Sequence, residues 1–234
     1  MPSLDDFPIT RKWPARFPDR LQLYSLPTAN GQKVSMLLEE LQLPYEPHRV
    51  EFVNNDQHSD AFLSLNPNGK IPAIIDPNGP DGQTVALFES GAILLYLADK
   101  TGRFIPQDPA GRWETVQWLM WQMGGLGPMF GQYGHFKKFA ADKITDPYPR
   151  QRYQDESRRL LSVLDQRLAD RSFIMGEELT IADFAVAPWV RFVISSYEGR
   201  EDLGFDQLQR VPGYIENFFA RPAIKRGRQI PKRG

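Results

Sequence analysis

The 234-residue chain contains no cysteine. That absence excludes structural disulfides, thiolate-zinc sites, iron-sulfur clusters, a Cys-x-x-Cys redox pair and a cysteine nucleophile. Any thiol or redox chemistry must therefore use a sulfur that a ligand brings. Histidine is scarce too: His48, His58 and His135 are the three present, which leaves little for a histidine-rich metal site, and no metal is expected. Charge of either sign is not in excess, since 28 basic residues face 29 acidic ones. No global field would recruit nucleic acid or an anionic membrane. No apolar run is long enough to span a membrane. The opening MPSLDDFPITRKWPARFPDR has four prolines, mixed charges and no apolar stretch, so it does not read as a secretory leader. A cytoplasmic location is the expectation. What is present, 41% hydrophobic and 12% aromatic residues, is the composition of a globular chain, with length for one large domain or two compact ones.

Two regimes share the chain. Residues 1–19 form an irregular arm in which Trp13 and Phe17 are the obvious anchors, either a loose tail or a strap on a partner subunit. From Arg20 short strands and helices alternate: a strand at Leu21 to Ser25, a helix from Asn30-Gly31 to Leu41, a strand at His48 to Phe52 and a short helix at Asp60 to Leu65. Strands at Ile71 to Ile75 and Val85 to Phe88 then pair through a Gly/Pro/Asp-rich turn, and a helix follows from Ser90 to Lys100. The pattern is β-α-β-α-β-β-α with a mixed sheet, covering residues 20–103. After a linker at 104–111, residues 112–234 read as all-α. Helical spacing runs from Arg112 through the Trp- and Met-rich stretch to Phe136, with Pro128 predicting a bend or break. These large side chains are read mainly as helix core, the alternative being the wall of an apolar pocket. Arg150 to Leu168 is amphipathic, Thr180-Ile181-Ala182-Asp183 has capping-box spacing with Asp in place of Glu or Gln, and Pro212 to Arg221 is the last expected helix. The basic run Lys225 to Arg233 reads as a solvated tail.

Three short segments can carry chemistry. Ile71-Pro72 stands at the mouth of a strand, where an X-Pro bond can be cis at modest cost and turn the Ile71 backbone toward an extended peptide. Glu89-Ser90 lies where a strand gives way to a helix; the first helical N–H groups and the Ser90 hydroxyl would meet a carboxylate, and Glu89 an ammonium. Together they would grip the α-amino-acid end of a ligand. Thr28 and Asn30 precede and open the first helix in the same way and can stabilise a thiolate presented by a ligand.

Five stretches in order then resemble one family. They are Leu-Tyr-Ser-Leu-Pro-Thr-Ala-Asn-Gly at 23–31, Asn-Pro-Asn-Gly-Lys-Ile-Pro-Ala at 66–73, Leu-Phe-Glu-Ser-Gly-Ala-Ile-Leu-Leu-Tyr-Leu-Ala at 87–98, Leu-Thr-Ile-Ala-Asp at 179–183 and Arg-Pro-Ala at 221–223. The chain from Arg20 to Lys225 resembles the cytosolic glutathione transferases. Pro-Thr-Ala-Asn-Gly with Trp-Gln-Met-Gly-Gly-Leu-Gly-Pro-Met at 121–129 is most similar to their Nu class and the related nitrogen-regulator branch. The resemblance implies a thioredoxin-like domain, an all-α domain, and a homodimer that binds glutathione or glutathione disulfide. It implies that Gln57 and Lys70 contact the glycine carboxylate side, the Ile71 backbone beside a cis Pro72 the cysteinyl moiety, and Glu89 and Ser90 the γ-glutamyl end. Thr28 and Asn30 would face the sulfur. Arg152 would reach the second half of a glutathione disulfide, with Arg159 matching the pattern nearly as well. Many transferases activate the thiol with a Tyr or Ser in this region. Strand alternation lets at most one of Tyr24 and Ser25 point that way, and Tyr24 is read as core.

The expected function is a glutathione-dependent thiol:disulfide oxidoreductase with weaker transferase and peroxidase activity. The alternatives are a conventional transferase conjugating electrophiles, and a glutathione-binding regulator with little catalysis. The short, Pro- and Arg-containing arm argues against the latter.

Overall fold

The computed structural model describes residues 4–232. The chain divides into two compact units, one of residues 104–221, the other of residues up to 103 joined by those from 222 onward.

The first unit follows the expected β-α-β-α-β-β-α order: β1 Leu21–Ser25, α1 Ala29–Leu41, β2 Tyr45–Arg49, α2 Asp60–Leu63, β3 Ala73–Asp76, β4 Val85–Phe88 and α3 Ser90–Thr101. Its described sheet runs β2-β1-β3-β4, with β1 and β2 parallel and β3 antiparallel to both β1 and β4. Every residue of β1 is buried, as befits a central strand covered on both faces. Two strands are displaced from their expected positions. β2 pairs with β1 from Leu21↔Tyr45 to Ser25↔Arg49, so the chain has already left the ladder by Phe52 and turns at Phe52–Asn54. β3 begins at Ala73 rather than Ile71; just ahead of it Asn66 Nδ2 donates to the Lys70 carbonyl at 2.5 Å, and the Ile71–Pro72 bond is cis.

Over its described part the arm is not a loose tail; it packs on its own chain. Leu4 and Ile9 are buried with Tyr24, Val50, Phe62 and Ile75. Trp13 packs edge-on to Tyr24 and donates from Nε1 to the Arg49 carbonyl at 3.0 Å. The Glu46 carboxylate accepts from the backbone N–H groups of Arg16 and Phe17, and Lys12 pairs with Asp56 at 2.7 Å. Phe17 is not an anchor; it is 42% exposed, with the Arg20 guanidinium over its ring.

The second unit is helical: α4 Pro109–Trp121, α5 Gly127–Gly134, α6 Tyr148–Arg167, α7 Ile181–Ser195 and α8 Val211–Ala220. Pro128 does not break the path. It sits in the first turn of α5, where a missing N–H is tolerated, and a π-helical turn at Gln122–Leu126 carries the chain over from α4. Leu119, Leu126, Phe130 and Tyr133 face the core, but Trp113 and Met120 are 69% and 50% exposed, so the tryptophan-rich stretch is not uniformly core. At the start of α7, Asp183 accepts from the Thr180 N–H at 2.8 Å and the Ile174 N–H at 2.9 Å.

The expected boundaries at 104–111 and 112–234 differ from this division. α4 already begins at Pro109, and Pro222 does not end the helical part of the chain but opens α9 Pro222–Gly227, which belongs to the first unit. There α9 packs on α1: Ser35 Oγ donates to the Gly227 carbonyl at 2.7 Å, and Arg226 pairs with Glu39. A Cβ on Gly227 would lie 2.6 Å from Met36 Cα, so only glycine permits this approach. The segment that carries the basic run is thus docked on α1, although Lys225, Arg226 and Lys232 themselves are exposed; Arg233 lies outside the described residues.

Candidate functional site

Register places the candidate residues of the first unit at one edge of the sheet. Ser25↔Arg49, Tyr24↔Ala73 and Ala73↔Phe88 put the ends of β1, β2 and β4 beside the beginning of β3. The turn into α1, the loop after β2 with Gln57, the Lys70-Ile71-Pro72 approach and the Glu89-Ser90 junction all leave or enter there.

Thr28 is the N-cap of α1, its Oγ1 accepting from the Gly31 N–H at 3.3 Å. Capping uses a lone pair, so the hydroxyl proton can still be donated to another acceptor. Asn30, in the first helical turn, is half-buried like Thr28. A Cβ on Gly31 would meet the Leu26 carbonyl oxygen at 1.9 Å and Ser25 Oγ at 2.6 Å. This close approach seals Ser25 under α1, and Ser25 is fully buried. Tyr24 is core: it stacks on His48 and its hydroxyl is buried without a hydrogen-bond partner.

Gly69 adopts φ +63, and a Cβ there would lie 2.8 Å from His58 Nδ1 and 3.3 Å from the Gln57 carbonyl oxygen. That turn brings Lys70, which is exposed, against the loop of Gln57. Gln57 Nε2 donates to Asn55 at 3.2 Å, while its Oε1 is buried with no partner and remains an acceptor for a ligand N–H. Neither the N–H nor the C=O of Ile71 belongs to the β3 ladders, which begin at Ala73.

Glu89 is the N-cap of α3 and holds φ +69, ψ 112 without a side-chain cap bond. A non-glycine residue there carries strain on the order of 1–3 kcal/mol, which persists where the surroundings impose it and clusters at ligand sites. Ser90, the first residue of α3, is buried. Its Oγ accepts from Lys33 Nζ at 3.2 Å. Sequence reading did not single out Lys33, which is fully buried on α1 with its pKa pushed down to about 7 by burial, Glu89 opposing the shift. Its signal in the sequence is faint: a lone charge among Val34, Met36 and Leu37.

Arg152 belongs to the helical unit, on α6, beside a cavity of about 590 Å³ lined by Met129, Tyr148, Tyr153, Glu156 and Arg159 among others. Arg159 is committed to Glu156 through bonds of 2.8 and 2.7 Å. Arg152 makes no hydrogen bond among the described residues, acting on Glu156 only by charge. Among the described residues no cluster of three or more histidines and carboxylates could hold a metal ion, and no helix is long and apolar enough to cross a membrane.

A thioredoxin-like mixed sheet followed by a helical unit defines a class, and comparison agrees with it. The models of the glutathione S-transferase N-terminal and C-terminal domains match residues 19–99 and 147–216, and the chain belongs to this family. It is 48% identical over 204 residues to the disulfide-bond oxidoreductase YfcG of Escherichia coli, covering 87% of this chain and 92% of that protein. A Burkholderia graminis glutathione transferase crystallised with two glutathione molecules per subunit is 61% identical, with a TM-score of 0.98 over 99% of this chain and 96% of that one. A Pseudomonas putida glutathione transferase with one glutathione disulfide per subunit is 57% identical, with a TM-score of 0.96 over 98% and 100%.

Proposed function

We propose that the protein is a glutathione-dependent thiol:disulfide oxidoreductase. The observation that carries the reading is the convergence, in a chain without cysteine, of a helix-capping Thr28 and Asn30, the Ile71-Pro72 approach and the strained Glu89-Ser90 junction at one sheet edge. Similarity to YfcG and to structures holding glutathione or its disulfide supports it.

In this reading Glu89 pairs with the γ-glutamyl ammonium, and Ser90 with the first N–H groups of α3 receives the adjoining carboxylate. The Ile71 backbone pairs with the cysteinyl unit, and Lys70 and Gln57 take the glycine side. Thr28 and Asn30 donate to the sulfur, which favours the thiolate. That thiolate attacks one sulfur of a substrate disulfide; the S–S bond breaks, and the departing thiolate takes a proton. The mixed disulfide is attacked by a second glutathione thiolate, yielding glutathione disulfide and the second reduced thiol. Two glutathiones are oxidised for each disulfide reduced. Arg152, uncommitted where Arg159 is paired, receives a carboxylate of the second glutathione. The protein supplies orientation and charge stabilisation without a covalent intermediate. Weaker conjugation and hydroperoxide reduction by the same thiolate, action as a homodimer through apolar surface such as Trp113 and Met120, and a cytoplasmic site of action complete the reading.

Side-by-side turnover of a glutathione mixed disulfide, an aryl halide and cumene hydroperoxide tests it. The first substrate is expected to be fastest, and no turnover of it above background would overturn the assignment. Asn30→Ala is expected to lower disulfide turnover by about 100-fold, the scale of losing one donor to a developing anion, with glutathione affinity little changed.

A further inference from the structure

The arm brings more than apolar cover to the first unit. Leu4 and Ile9 share one buried cluster with Tyr24, Phe62 and Ile71, Trp13 packs against it, and the arm's turn at Pro8–Arg11 lies on the four-residue α2. Those contacts need no charge. Lys12 nonetheless sets its ammonium over the Trp13 ring, 4.9 Å from the centroid, and pairs with Asp56 Oδ1 at 2.7 Å across 44 residues of chain. Asp56 is buried, and an ion pair with a buried member adds little net stability compared with apolar residues in its place. What the pair adds is a fixed direction for Asp56, the residue just before Gln57.

Gln57 depends on such a tie. It sits in the middle of a single 3-10 turn, Asp56–His58, which is entered through Asn55 at φ 56 directly after another 3-10 turn at Phe52–Asn54. Turns of this kind have poorer hydrogen-bond geometry than an α-helix, so side chains decide where they point. Asp56 is the centre of the segment. Its Oδ2 accepts from the Glu51 N–H at 2.9 Å and its carbonyl from Ser59 Oγ at 2.7 Å, which closes the loop on itself, while Oδ1 and Lys12 fasten it to the arm. Gln57 then carries a buried Oε1 with no partner, and its carbonyl lies against the Gly69 turn that leads into Lys70. We propose that the arm is part of the ligand site: Lys12, acting through Asp56, is a positioning residue for Gln57 and sets the preference for a peptide that ends in glycine over one that ends at the cysteinyl unit. The proposal rests on the reading that Gln57 takes the glycine side of glutathione. Oε1 can accept a glycine-side N–H only while the turn holds its place, because a hydrogen bond weakens steeply beyond about 3.2 Å and below about 120°.

Titration calorimetry of the full chain with glutathione and with γ-glutamylcysteine, which lacks the glycine, is the test. Wild type is expected to prefer glutathione. Lys12→Met should weaken glutathione about fivefold, the scale of one hydrogen bond, and leave γ-glutamylcysteine unchanged. A general loss of stability would not separate the two peptides. Gln57→Ala should lose as much, and the Lys12→Met/Gln57→Ala double variant should bind glutathione no more weakly than Gln57→Ala alone. Lys12→Arg should keep the wild-type preference. Lys12→Met that binds glutathione as wild type does, or that loses both peptides equally, overturns the proposal; a weakened Gln57→Ala beside it leaves the glutathione reading standing. Should Lys12→Met not fold, Lys12→Met/Asp56→Asn is read in its place, since it removes the pair without leaving an unpaired buried charge and keeps an oxygen for the Glu51 N–H. The same loss is expected of it, and the same results overturn the proposal. Wild type that binds neither peptide, or both alike, overturns the glycine-side reading and the proposal with it.

Discussion

Each unit of the molecule buries an ionisable side chain at the beginning of a helix, and the two are used in opposite ways. In the helical unit, Asp183 lies inside the first turn of its own helix α7, an anion where the dipole favours one, accepting from the backbone of Thr180 and Ile174 and from the Thr180 hydroxyl. Burial still lifts its carboxyl to about 6, but its oxygens serve the chain itself. In the sheet unit, Lys33 reaches from α1 to the first turn of another helix with the sign that the dipole opposes. One group closes a local hydrogen-bond ring; the other ties α1 to α3 through the Ser90 hydroxyl.

Removing each group sharpens the contrast. Asp183→Ala should have the largest effect, on the order of 3–5 kcal/mol of lost stability, because buried N–H donors lose their acceptor together. Chemical denaturation measures it, and a loss near zero would remove the contrast. Lys33→Met should move stability the other way, gaining about 1–4 kcal/mol near pH 7, as replacing a buried charge by a matched apolar side chain can do. The pH dependence has a definite sign. Folded Lys33 loses its proton near 7 while the unfolded lysine keeps its own until about 10.5, so the unfolded state binds more protons in that window. Wild-type stability from this group therefore rises from pH 7 toward 10.5, and the advantage of Lys33→Met should shrink over the same range in thermal melts.

The helical cavity supplies the smallest stability effects. Arg159→Ala breaks an exposed pair with Glu156 and should change stability by no more than about 0.5 kcal/mol. Arg152→Ala should be equally silent in melts yet weaken glutathione disulfide about tenfold, as loss of a charge-assisted contact would. If Arg159→Ala weakens the disulfide instead, the assignment of the second anion contact passes to Arg159.

Much of this was legible in the sequence, and the exceptions have physical causes. β1, β4 and α3 are read from alternation and helical spacing nearly to the residue, and Thr28 and Asp183 from capping chemistry. β2 was misplaced because its alternation continues past Arg49, whereas the ladder with β1 is what ends it. The arm was misread because its few apolar residues, Leu4, Ile9 and Trp13, acquire meaning only against the face of Tyr24 and Phe62. α9 was missed because Pro222, a sound stop for α8, is equally a sound first residue for a new helix. Of the candidate site, the residue types that meet a carboxylate, an ammonium and a sulfur could be named from motifs. The left-handed backbone of Glu89 and the cation behind Ser90 could not.

By itself the sequence determined that this chain has no cysteine nucleophile, and it determined the order of the strands and helices in residues 20–103, because absence and periodicity are properties of the chain read along its length. Only the tertiary structure decided which edge of the sheet gathers Thr28, Gln57, Ile71 and Ser90, since register joins residues far apart in sequence. It also decided what Lys33 is. A lysine on a helix is an ordinary solvated cation until other elements exclude water around it, and desolvation belongs to the packing and not to the residue.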